Sequence, residues 1–221
     1  MAQPLLDEVK ELVGDPDMCP AGFAWLKGLP HDNPARAWKD CHNAYWMIRL
    51  LARMPVAGMD NLHAFKKRLA DVMLQLIWGS VPTTTPVHSR VRWLMHAMQD
   101  LWAWTESKIP ESSLIARHEN LATWPSGTED AADRQQGYLA KCLLCVTNLA
   151  LKRSPSSEDD EGLQDIHLVV YYLGRCHRLS YPSGSEYDAV ANKYELLADE
   201  LRKRVSWKEV AMLLPKKEPV S

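Results

Sequence analysis

The sequence predicts an all-α fold: a single compact multi-helix domain of about seven to nine helices, with no significant sheet. Three observations carry this reading. Apolar residues recur at spacings of three and four in one segment after another. Proline, glycine and asparagine punctuate the chain between those segments. The β-branched residues nowhere alternate with polar ones over a useful length. With 221 residues, 46% hydrophobic content and nine tryptophans, the chain can bury one substantial core, so residues 1–221 are read as one domain.

In chain order, Leu5, Leu6, Val9, Leu12 and Val13 form one stripe of a docking helix that Gly14-Asp15-Pro16 stops. A short helix is expected around Ala21 to Lys27, followed by a turn at Gly28 to Asp32. Asn33 is an N-cap with Pro34 at the first helical position. From Ala35 one continuous helix is expected, with Trp38, Cys41, Tyr45, Ile48 and Ala52 on a buried face widened by Trp46 and Leu50. Together with Trp25, the residues Trp38, Cys41, Tyr45, Trp46 and Ile48 make the structural core candidates of this N-terminal stretch.

Asp60 then opens a helix with Leu62, Phe65, Leu69, Val72, Met73 and Leu76 in phase. After the loop SVPTTTP, a Trp-rich helix carries Val91, Leu94, Met98, Leu101 and Trp102 on one stripe and Trp93, Ala97 and Trp104 on a second, which marks it as the central helix. Pro110 opens a shorter helix closed by Trp124-Pro125-Ser126-Gly127. Thr128, Glu129 and Asp130 suit the start of a longer helix, where negative charge meets the positive end of the dipole. The polar, acidic SPSSEDDEG, residues 154–162, reads as a surface loop. Leu163, Ile166, Val170 and Leu173 mark the next helix, and Tyr187, Val190, Tyr194, Leu197 and Leu201 the last long one, behind a capping-box pattern at Ser185. A short turn from Trp207 to Leu214 precedes a charged tail from 215.

Composition excludes several function classes. Twenty-six basic and 28 acidic side chains leave a net charge of -2, with no global attraction to nucleic acid or anionic membrane. No apolar run is long enough to span a bilayer and no secretory signal is seen, so no membrane partner is expected. Five scattered cysteines fit reduced, buried thiols rather than a disulfide framework, which points to the cytoplasm.

The one Cys-x-x-Cys, Cys142 to Cys145, lies inside a predicted helix among leucines, where cysteine behaves as a small hydrophobe. With Cys176 and His177 it is a candidate metal site, or the centre of a metal-dependent enzyme, although the long spacing carries no zinc signature. No phosphate-binding, dinucleotide-binding or nucleophile-elbow motif is present, so no catalytic residue and no cofactor is assigned. Lys66-Lys67-Arg68 and Arg202-Lys203-Arg204 are the clusters through which nucleic acid would be held, but they read better as charged helix faces.

Two short segments carry a resemblance. Cys19 to Trp25 reads C-x5-W, and Ala35 to Met47 reads A-x-A-W-x-x-C-x4-W-M; LADELRKRVSWKEV follows from Leu197 to Val210. In these ends the chain resembles a loose group of bacterial and phage helical proteins, several of them described as immunity proteins of polymorphic toxin systems. That resemblance implies an all-helical fold and a toxin-neutralising role, and carries no catalytic residue.

The expected function is therefore non-enzymatic: binding to another protein, as an immunity or defence-related inhibitor. Glu158, Asp159, Asp160 and Glu161 are the protein-binding candidates, because acidic side chains can mask a basic partner surface. A homo-oligomer is compatible with the same composition.

Overall fold

A computed structural model describes residues 20–29, 33–53, 59–81, 89–124, 131–151, 166–180 and 186–209. Among them lie nine α-helices, one 3-10 turn and no strand. The helices are α1 (Pro20–Lys27), α2 (Pro34–Asp40), α3 (Ala44–Arg53), α4 (Met59–Trp78) and α5 (Ser89–Thr105), then, after the 3-10 turn Glu111–Leu114, α6 (Ile115–Ala122), α7 (Ala131–Leu151), α8 (His167–Ser180) and α9 (Glu186–Arg204). The fold is all-α, built on one contiguous core. The expected helix at Pro4–Val13, the capping box at Ser185, the acidic loop and the end of the chain from Val210 lie outside the described residues.

Asn33 caps α2 as its sequence pattern requires: its side-chain oxygen accepts from the backbone N–H groups of Ala35 and Arg36, and Pro34 follows. The single helix expected from Ala35 to Ala52 is in fact two. Cys41, His42 and Asn43 leave the helical conformation, and Asn43 caps α3 by accepting from Tyr45 and Trp46 N–H at 3.0 and 3.3 Å. The inward positions survive the break. Trp38, Cys41 and Ile48 are buried, while Trp25, Tyr45 and Trp46 are partly buried against the core. The Trp38 indole N–H donates to the Val205 carbonyl at 3.2 Å, tying α2 to the end of α9. A Cβ on Gly22 would stand 3.1 Å from the Trp46 indole, so glycine is what lets α1 lie against that ring.

The central helix is α7, not the Trp-rich α5. Eleven of its 21 residues are buried, and it packs on α4, α5, α6, α8 and the 3-10 turn. Its interior mixes small side chains, among them Ala140, Cys142, Cys145, Val146 and Ala150, with Leu139, Leu143 and Leu149. Small side chains allow neighbours to close in on several sides. Of the tryptophans of α5, Trp104 is buried, whereas Trp93 and Trp102 sit further out and are only partly buried. Polar ties fix α6, where Arg117 pairs with Asp100 of α5 at 2.5 Å and His118 bonds Asn148 of α7 at 2.8 Å.

Candidate functional site

The helix pair α7–α8 gathers most of the residues that could do chemistry. On its inner side Cys142, Cys145 and Cys176 come together, as the metal-site expectation required. Cys142 Sγ donates to the Val169 carbonyl at 3.6 Å and Cys176 Sγ to the Gln135 carbonyl at 3.7 Å. Burial, then the neighbouring Cys176 and Cys145, hold the Cys142 thiol well above its ordinary value, and burial pushes Cys176 up to about 12. Both are therefore protonated donors to backbone rather than thiolates. His177 stands at the edge of this seam, its imidazole lowered by burial and then by the charge of Lys193. Among the described residues no group of three or more His, Cys, Asp or Glu side chains is arranged to hold a metal ion.

The two basic clusters meet in space at Arg68 and Arg204 and are largely tied up by groups of the chain itself. Arg68 pairs with Asp71 at 3.3 Å, donates to the Arg204 carbonyl at 2.5 Å and reaches Glu209 at 3.5 Å. Arg202 bonds the Cys41 carbonyl and Asp199, Lys203 pairs with Glu200 at 2.8 Å, and Arg204 bonds Gln75 and Glu200. Lys66 is buried, and Lys67 donates to Ser107 Oγ at 2.7 Å beneath the Trp104 ring. SWKE, which superficially suggested the first helix of a DNA-binding motif, is a capping box: Ser206 and Glu209 bond reciprocally at 2.7 and 3.3 Å. These charges latch α4, α9 and the turn at 206–209 together, and a phosphate would have to displace that latch.

The outer side of the same pair has a different character. Tyr138 of α7 stacks on Tyr172 of α8 with centroids 6.1 Å apart, and Tyr171 meets Tyr172 edge-on at 5.3 Å. Lys141 lies 5.5 Å from the Tyr172 ring and 6.0 Å from Tyr138, and Arg175 lies 5.5 Å from Tyr171. Helix α8 contains no carboxylate, and α7 contains only Asp133, whereas Arg134, Lys141, Arg175 and Arg178 are cationic. The pair is thus basic in a chain whose net charge is -2. Sequence reasoning missed this face, although Tyr138-x-x-Lys141 and Tyr171-x-x-x-Arg175 have the spacing of helical neighbours.

A cavity of about 30 Å³ lies between α4, α5 and α7, bounded chiefly by Ile77, Leu94, Met98, Leu139 and Leu143. It has room for roughly two water molecules, far short of the ~300 Å³ or more of a ligand pocket. Gln136 lines it, buried, with its side-chain oxygen unpaired. The acidic candidates Glu158, Asp159, Asp160 and Glu161 lie outside the described residues. No family model, curated protein or solved structure matches this chain.

Proposed function

We propose that this chain acts by binding another protein through the outer face of α7 and α8, and that the partner presents an acidic surface. The observation that carries this reading is the tyrosine–cation array of Tyr138, Lys141, Tyr171, Tyr172 and Arg175 on a helix pair almost free of carboxylates. Tyrosine and arginine are the residues that concentrate binding energy at interfaces. Rings already held against one another lose little freedom on binding, and the cations steer an acidic partner into register. Toxin neutralisation, the role the resemblance implies, is one form of this function. It calls for a toxin with an acidic patch. The cytoplasm is the proposed setting, in keeping with the buried cysteines Cys41, Cys142, Cys145 and Cys176, none of them disulfide-bonded. Among the described residues no helix is long and apolar enough to cross a membrane.

A protein partner is favoured over nucleic acid because the rings stack on each other and the two sequence-adjacent basic clusters are already paired within the chain. The test places a photo-crosslinking phenylalanine at Tyr171 or, as a control, at Leu196, which is 55% exposed on α9. In cells, position 171 should yield a discrete protein adduct and position 196 none. Adducts with nucleic acid, equal yields at both positions, or no adduct at 171 would contradict the reading.

A further inference from the structure

We propose that Lys193 is a reactive amine that captures small uncharged aldehydes as a reversible imine. Helix α9 carries Lys193 to the point where the C-terminal end of α4 meets α8, and its Nζ donates to Ser80 Oγ at 3.1 Å. That hydroxyl is itself committed as a donor to the Leu76 carbonyl at 2.9 Å, so toward Lys193 it can only accept. On its own helix the positions three and four residues away are Ala189, Val190, Leu196 and Leu197, none of them acidic. Across the junction stand the Cys176 thiol, kept protonated by burial, and the imidazole of His177, whose charged form burial disfavours first of all.

Among the described residues, then, no carboxylate pairs with Lys193, in contrast to Lys203 with Glu200 at 2.8 Å and Lys108 with Glu106 at 2.5 Å. A cation that loses water and gains no counter-charge gives up its proton more readily. Burial does lower Lys193, and the Cys176 thiol beside it, being protonated, supplies no counter-charge. The neutral amine is a nucleophile. Its lone pair attacks the aldehyde carbon, and the carbinolamine loses the carbonyl oxygen with two hydrogens as water, leaving the C=N bond. Nothing is oxidised or reduced. The bland alternative is a plain ammonium–hydroxyl tether between α9 and the end of α4, and it makes the opposite forecast about reactivity.

The experiment treats the folded full chain at neutral pH with limiting butanal and cyanoborohydride, which fixes the imine as a secondary amine, and follows each lysine by peptide mass spectrometry. Lys193 should be alkylated severalfold faster than the exposed Lys39 and Lys203, and the preference should vanish in denaturing urea. Alkylation of Lys193 no faster than at those two lysines, or a preference that survives unfolding, would overturn the proposal.

Discussion

Helices α7 and α8 face two environments with the same few turns of chain. Inward, Cys142, Leu143, Val146, Val169, Val170 and Leu173 are buried against each other and against the rest of the core. Outward, Tyr138, Tyr171 and Tyr172 are stacked and edged together under Lys141 and Arg175, with Tyr171 still 37% exposed. The inner side accounts for stability, because each apolar side chain removed from water contributes to folding. The outer side packs Tyr138 and Tyr172 only partly against the core and leaves Tyr171 exposed beside the cations. The difference separates what holds the molecule together from the face on which the proposed partner would dock.

That contrast can be broken most forcefully from the inside. Leu143→Ala and Leu173→Ala should each lower unfolding free energy by ~2–5 kcal/mol in urea titrations, the cost of an incompletely collapsed cavity. Trp38→Ala should cost ~3–5 kcal/mol, since it also strands the Val205 carbonyl that its indole now satisfies. A loss below ~1 kcal/mol at Trp38 would place that ring in solvent and return the N-terminal stretch to the binding candidates.

Two glycines of the same pair sharpen the comparison. A Cβ at Gly174 would stand 3.0 Å from the Tyr194 ring and 3.1 Å from Val190. Tyr194 is itself stacked on Tyr45, so it has little room to yield. Gly174→Ala should therefore destabilise by ~1 kcal/mol, overpacking outweighing the gain in helix propensity. A Cβ at Gly137 would meet nothing within 4 Å, and Gly137→Ala should stabilise by ~0.5–1 kcal/mol in the same titrations. Equal effects at the two sites would mean that α8 and α9 do not approach as closely as described.

Much of the fold was legible because helix signals are local. Asn33-Pro34 announced α2, and the spacing of Phe65, Leu69, Val72, Met73 and Leu76 announced the buried face of α4. Asn43 escaped notice because Trp38, Cys41, Tyr45 and Ile48 stay in helical phase across the break, and apolar spacing does not register a cap. The centre was misplaced for a physical reason: the tryptophans of α5 suggested burial, which holds for Trp104 but only partly for Trp93 and Trp102, whereas α7 is crowded on all sides without any tryptophan. The site was less legible still. The Tyr138–Tyr172 stack and the Lys193–Ser80 bond join residues 34 and 113 positions apart, and their register is set by packing rather than by any local pattern. Cys142, Cys145 and Cys176 did converge, but as buried protonated thiols.

The smallest expected change in stability belongs to the outer face, and it carries the most direct test. Combining Lys141→Glu with Arg175→Glu removes three cation–aromatic contacts and should shift unfolding free energy by less than about 1 kcal/mol. The decisive measurement is the yield of the protein adduct from the photo-crosslinker at position 171 in this doubly reversed chain, compared with the same chain bearing its native Lys141 and Arg175. Loss of the adduct from a protein that remains folded is the result expected. An undiminished adduct would contradict an acidic partner docking on the α7–α8 face.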